Sequence, residues 1–293
     1  MIMKQKVGFI GTGVMGSSII KHLLKRGYVV RVYSRTKEKT NELIKLGAIW
    51  CESPGMVAQE SNVIFTMVGY PKDVEEVYYG ENGIFQHPQK NKIVVDLTTS
   101  TPTLAKKIGD TAAKHEMSSL DAPVSGGDIG AQKGALTLMV GGDKDAFEKV
   151  KPLFECFSNS IEYHGKHGNG QHVKMANQIM IAGTMTGMTE MIVYAQEAEL
   201  DLEKVFKTLN GGAAQNWSLE NYAPRILKKD YSPGFFIKHF LKDLSIALDE
   251  AEKLEIELPA TKMAKDLYEK LSKNGYSDYG TQALIKLWEK QII

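Results

Sequence analysis

Apolar residues fall in short runs through the first half of the chain and in helical stripes through the second. Residues 7–10 form an apolar run that closes on Gly11, and 17–25 then place Ile19, Ile20, Leu23 and Leu24 at helical spacing before Gly27. A β-branched run at 29–33 precedes a polar stretch and a helix over 37–46 that stops at Gly47. The alternation continues with strand 63–68, helix 72–79, strand 93–97, helix 103–114 and strand candidates at 119–121 and 136–140. Such alternation predicts a mostly parallel sheet covered on both faces, a doubly wound α/β domain.

From about Gly168 the pattern changes. Residues 173–200 hold no proline and are rich in Met, Ala and Ile, which predicts one long helix of roughly 40 Å. Helical periodicity then carries through 202–209, 217–227, 237–254, 259–274 and 279–291. The expected organisation is an α/β Rossmann-like domain over 1–165 and an all-α domain over 166–293, joined at the glycine- and histidine-rich stretch 163–170. The least charged stretch, 175–189, is shorter than the ~18 apolar residues of a spanning helix and contains Asn177 and Gln178, so it reads as a buried helix and not a membrane segment. No internal repeat or low-complexity tract interrupts this pattern.

Composition narrows the classes of function. The 293 residues, 43% hydrophobic and 24% charged, suit a globular protein of about two domains. Thirty-six Lys and Arg against 35 Asp and Glu leave a formal charge of +1, which supplies no general field for nucleic acid or an anionic membrane. Any anion must be held locally. Cys51 and Cys156 offer neither a disulfide framework nor a CxxC motif, and the N-terminal residues have no apolar signal core, so a reducing, cytoplasmic setting is expected.

Candidate chemistry begins at Gly11-Thr12-Gly13-Val14-Met15-Gly16, set between the first strand and helix where a dinucleotide fingerprint belongs. Gly11 permits the tight turn, Gly13 lets a pyrophosphate approach the backbone, and Gly16 allows close packing of helix on strand. Amides at the helix start then face the phosphates. NAD-using folds place an Asp or Glu after the second strand to grip the ribose 2′-hydroxyl. Here the segment reads Ser34-Arg35-Thr36-Lys37, with no carboxylate but with groups able to neutralise a 2′-phosphate. The expected cofactor is NADP(H), with NAD(H) the lesser one. The plainer alternative makes Arg35 and Lys37 solvated charges and leaves the missing acid unexplained. Met67 and Val68, ending the next strand, are assigned to the same cofactor.

Four segments in order now resemble the β-hydroxyacid dehydrogenase family, which includes 3-hydroxyisobutyrate dehydrogenase, tartronate semialdehyde reductase and the glyoxylate and succinic semialdehyde reductases. They are Gly8-Phe9-Ile10-Gly11-Thr12-Gly13-Val14-Met15-Gly16, Asp121-Ala122-Pro123-Val124-Ser125-Gly126-Gly127, Gly168-Asn169-Gly170-Gln171-His172-Val173-Lys174-Met175-Ala176-Asn177-Gln178, and Lys242-Asp243-Leu244. The resemblance implies a Rossmann-like domain, a helical domain and catalysis in the cleft between them. It implies Lys174 as the catalytic lysine, with Asn177 the first of the family's Asn pair and Gln178 in place of the second. It further implies that Ser125, Gly126 and Gly127 take the substrate carboxylate, that Thr99 and Lys242 contact the cofactor, and that Phe235 and Asp243 line the substrate site. Homodimers or homotetramers follow from the same resemblance.

The residues make chemical sense of this. Reducing an aldehyde with hydride leaves an alkoxide, which needs a proton donor within hydrogen-bond reach. A lysine with an ordinary pKa of ~10.4 is an ammonium at neutral pH and suits the task. Lys174, Asn177, Gln178 and Ile181 share one helix face by the i, i+3, i+4, i+7 rule. Small residues after a proline at Ser125-Gly126-Gly127 free backbone amides for an anion-binding concavity. Each also has a bland reading: packing amides for Asn177 and Gln178, a plain turn at 125–127, a solvated pair for Lys242 and Asp243. His164, His167 and His172 lack metal-site spacing, so no metal is expected. The sequence thus predicts an NADP(H)-dependent oxidoreductase that reversibly reduces a small aldehyde acid, glyoxylate or a semialdehyde, to the hydroxy acid. Its alternatives are an NAD-linked 3-hydroxyisobutyrate dehydrogenase, an imine reductase, against which Lys174 argues, and a non-catalytic NADP-binding sensor.

Overall fold

Alternate residues of the first strands point to opposite faces, and both faces are apolar. In the computed structural model, which describes residues 5–289, the first compact unit runs β1 Lys6–Ile10, α1 Val14–Lys25, β2 Val29–Tyr33, α2 Asn41–Lys45, β3 Ile49–Trp50, α3 Pro54–Gln59, β4 Val63–Thr66, α4 Pro71–Tyr79, β5 Ile93–Asp96, α5 Pro102–Lys114, β6 Ser118–Asp121, β7 Val124–Ser125, α6 Gly127–Lys133, β8 Leu136–Gly142, α7 Lys144–Phe154 and β9 Ser158–Tyr163. Phe9, Phe65 and Val95 enter one core with Ile19, Ile20 and Leu23 of α1. Ile10, Ile64 and Val94 enter a second core with Val57, Val74 and Tyr78. A sheet buried on both faces is what continuous apolar strands require.

The order β3-β2-β1-β4-β5-β6-β8-β7, with β9 paired to β8, holds the first six strands parallel and turns antiparallel where β8 joins β6. The chain reverses direction across the sheet between β1 and β4, and ligands of doubly wound folds collect beyond the carboxyl ends of the strands at that point. The glycine loop follows β1 and Met67 follows β4, and Met67 N–H donates to Ile10 O at 2.8 Å.

The helical half consists of α8 Asn169–Glu197, α9 Leu202–Asn210, α10 Trp217–Asn221, α11 Ala223–Leu227, α12 Ile237–Lys253, α13 Pro259–Leu271 and α14 Lys286–Glu289. Contacts divide the chain after Lys174, within α8. The second unit has its own core of Met185, Ile192, Phe240, Leu244, Tyr268 and Leu284. No helix among the described residues is long and apolar enough to cross a membrane.

Several elements differ from the sequence expectation. The helix expected at 217–227 is broken at Tyr222, because Pro224 has no N–H to continue the ladder. That expected at 259–274 gives way to a wider turn over Ser272–Tyr276, where Gly275 has φ 89°. Residues 37–46 form a 3-10 turn, Lys37–Thr40, and only then α2. In place of a helix from Tyr279, a 3-10 turn spans Thr281–Ile285 ahead of α14, and Gln291 lies outside the described residues, as does Met1–Lys4. The stretch 175–189 is buried on one side only: Met185 is fully covered while Met180 is 68% exposed.

Candidate active site

The glycine loop is shaped by close approaches. Gly11 has φ +104°, its N–H donates to Tyr33 O at 2.9 Å, and a Cβ there would lie 2.0 Å from Met67 O. A side chain at Gly16 would strike Gly11 O at 2.1 Å, whereas nothing lies within 4 Å of the same position on Gly13. Space over Gly13 and no acidic residue in the first turn of α1 are what a diphosphate needs. Thr12 Oγ1 adds a buried hydroxyl without a partner among the described residues. The loop therefore fits a dinucleotide, with Val14 and Met15 opening the helix beneath it.

Beyond β2 the two predicted cations are present but already engaged. Arg35 Nη1 lies 3.0 Å from Asp73 Oδ1, and Lys37 Nζ lies 3.9 Å from Glu52 and 5.2 Å from the centroid of Trp50. Asp73 Oδ2 accepts from Tyr70 N–H at 3.1 Å at the start of α4. Ser34 and Thr36 flank Arg35 on the same segment. Sequence reading misses both carboxylates because each belongs to a different strand connection.

The ends of β4 and β5 are joined by polar side chains. Val68 N–H donates to Thr98 Oγ1 at 3.0 Å, and Thr98 N–H to Asp96 Oδ1 at 3.0 Å. Gln171, buried in the first turn of α8, clamps the loop on either side of Thr99: its Oε1 accepts from Ser100 N–H at 3.0 Å and its Nε2 donates to Thr98 O at 2.8 Å.

Asp121, at the end of β6, fastens the start of α8. Its Oδ1 accepts from Gly168 N–H at 2.8 Å and its Oδ2 from Gln171 N–H at 2.9 Å. Burial pushes its carboxyl up to about 6, against the opposing pull of those two amides and of nearby His167. His167 Nε2 in turn meets Ser119 O at 3.1 Å. Lys174 follows Gln171 by one helical turn and is buried, at 6% exposure. Asp121 and Gln171 stand in the motifs of the sequence, but the bond between them shows only in three dimensions.

Ser125 ends β7, and Gly126 and Gly127 have φ +119° and +61° at the start of α6. Positive φ at both positions is backbone that glycine adopts without strain.

In the second unit, Asn177 Nδ2 donates to Gln178 Oε1 at 2.7 Å, and Gln178 Nε2 donates to Asp243 Oδ2 at 2.7 Å. Lys242 Nζ lies 3.0 Å from Asp243 Oδ1, and Asp243 is 1% exposed. This buried chain of polar groups joins four residues the sequence singled out. Phe235 packs edge-on against Phe240, with ring centroids 5.9 Å apart.

Residues 6–165 match the family described as the NAD binding domain of 6-phosphogluconate dehydrogenase, and 168–288 match that described as NAD-binding of NADP-dependent 3-hydroxyisobutyrate dehydrogenase. An uncharacterised oxidoreductase of Bacillus subtilis is 51% identical over 98% of this chain and all of its own length. The 2-hydroxy-3-oxopropionate reductase of Escherichia coli is 38% identical over 97% of both chains. The structure of Mycobacterium tuberculosis 3-hydroxyisobutyrate dehydrogenase with L-serine superposes with a TM-score of 0.90 at 26% identity, covering 98% of this chain and 99% of that one.

Proposed function

Because this chain belongs to the β-hydroxyacid dehydrogenase family of NAD(P)-dependent oxidoreductases, we propose that it is an NADP(H)-preferring reductase of a small aldehyde acid, forming the hydroxy acid reversibly. The observation that carries this reading is Lys174, buried and mounted one turn beyond the Asp121–Gln171 clamp. When bound, the nicotinamide supplies the hydride that reduces the carbonyl carbon. Lys174 Nζ gives a proton to the carbonyl oxygen as its C=O bond becomes C–O–H, and takes it back in the oxidation. Asn177, one turn further along α8, orients the substrate oxygen, and Gln178 and Asp243 fix the Asn177 amide. Backbone amides of Ser125, Gly126 and Gly127 hold the substrate carboxylate, which keeps the aldehyde carbon in register. Thr12, the amides of 13–16, and Ser34, Arg35 and Thr36 hold the dinucleotide, with Met67, Val68, Thr99 and Lys242 along it; Phe235 closes on the substrate chain.

This reading places the reaction in a reducing cytoplasm, where Cys51 and Cys156 stay free thiols. It includes a homodimer or homotetramer, which the family resemblance implies. The test is the initial rate of NADPH and of NADH oxidation with glyoxylate and with succinic, tartronate and methylmalonate semialdehydes. Turnover faster with NADPH and confined to acids supports the proposal. Cofactor binding without turnover on any carbonyl overturns it in favour of a sensor, and turnover on cyclic imines alone overturns it in favour of an imine reductase.

A further inference from the structure

We propose that Asp73 is a specificity-determining residue that tempers the preference for a 2′-phosphorylated cofactor, because it holds the Arg35 guanidinium that a 2′-phosphate must share. The proposal rests on the reading of 34–36 as the ribose end of the dinucleotide site.

The asymmetry of the pair is the first argument. The Arg35 side chain is 79% exposed, whereas that of Asp73 is only 11% exposed. Asp73 is also fixed from its other oxygen, which accepts from Tyr70 N–H at 3.1 Å. Its negative charge therefore cannot swing away when a second anion arrives. A phosphate approaching Arg35 gains the guanidinium but meets an immobile carboxylate bonded to the same group, and like charges at that range oppose each other. A single contact, Nη1 to Oδ1 at 3.0 Å, engages one corner of the guanidinium. The guanidinium's other donors lie on a fixed fork, so an NADP(H) phosphate binds beside Asp73 with a reduced advantage over NAD(H). Lys37 repeats the arrangement more loosely with Glu52, at 3.9 Å.

The test is calorimetric titration of adenosine 2′,5′-bisphosphate and of 5′-AMP, at low ionic strength, into the wild type, Asp73→Asn, Asp73→Glu, Arg35→Ala and Asp73→Asn with Arg35→Ala. Asparagine keeps an oxygen for Tyr70 N–H and removes the charge. Asp73→Asn is expected to tighten the bisphosphate about three- to tenfold and to leave 5′-AMP within about twofold. Asp73→Glu should keep the wild-type ratio, and the gain from Asp73→Asn should shrink when Arg35 is already alanine. An unchanged or weaker bisphosphate affinity in Asp73→Asn, with 5′-AMP binding intact, overturns the proposal. Failure of the cofactor reading looks different: the wild type binds both ligands alike. In that case the role of Asp73 stands if Asp73→Asn creates a preference for the bisphosphate, and falls if it does not.

Discussion

Lys174 ends the first unit, is buried, and follows by one helical turn the Gln171 that Asp121 fastens. Replacing it by alanine should lower kcat by about 10²–10⁴ while NADPH still binds, if proton transfer is its main role. Near-normal turnover in the folded variant would remove it from the chemistry. Asp121 is expected to give the site a pH dependence. Its carboxyl is raised from 3.8 to about 6 by burial, so the folded protein holds that proton more tightly than the unfolded chain does. Its contribution to stability is complete below pH 3.8 and is lost as pH rises through about 6, a difference on the order of 3 kcal/mol. The sign for activity is the reverse. Protonation replaces an acceptor oxygen facing Gly168 or Gln171 N–H by a hydroxyl, so kcat/KM should fall as pH drops through about 6. In Asp121→Asn, which has no such titration, that acid limb should vanish and the rate should be lower at every pH. An unchanged acid limb in the variant would assign it to another group.

At the scale of elements, the start of α8 is the part that most depends on long-range contacts. Gln171 satisfies Ser100 N–H and Thr98 O together. Gln171→Leu strands both, and should cost about 2 kcal/mol or more of unfolding free energy, read from urea midpoints, with a raised KM for the cofactor. A loss below about 0.5 kcal/mol would mean that water replaces the amide. The sequence shows α8 plainly because apolar residues recur along 173–200 without a breaker, yet the helix begins at Asn169, where polar and glycine residues hide its first turn. α6 escapes sequence reading for the same reason: Gly127 and Gly130 suggest a loop. β9 is half exposed and carries Ser158, Asn159 and Ser160, so no run of apolar residues announces it. Lys174, Asn177 and Gln178 are singled out by the family resemblance, and helical spacing adds only that they share one face. The bonds from Asp121 to Gln171, and from Arg35 to Asp73, join positions far apart in the chain, and no local periodicity records them.

For the molecule as a whole, the switch from short apolar runs alternating with helices to unbroken helical patterning separates two units, and no core cluster of the one supplies the main core of the other. The pattern alone cannot show that the second unit begins inside α8, because a helix crossing a unit boundary keeps its period. The glycine loop lies wholly in the first unit. A ligand that binds only the folded state adds RT ln(1 + [L]/Kd), about 2.7 kcal/mol at a hundred times Kd. For a unit of this size that shifts the midpoint by roughly 5–10 °C. Differential scanning calorimetry with NADP+ at that excess should move the melting of the first unit by this amount and a separate transition of the second by less, since only Lys242 of that unit is assigned to the cofactor. If both move together, the units unfold as one cooperative block. In that case a substitution in either core, Phe65→Ala or Phe240→Ala, should lower the single midpoint alike, which the two-transition outcome forbids.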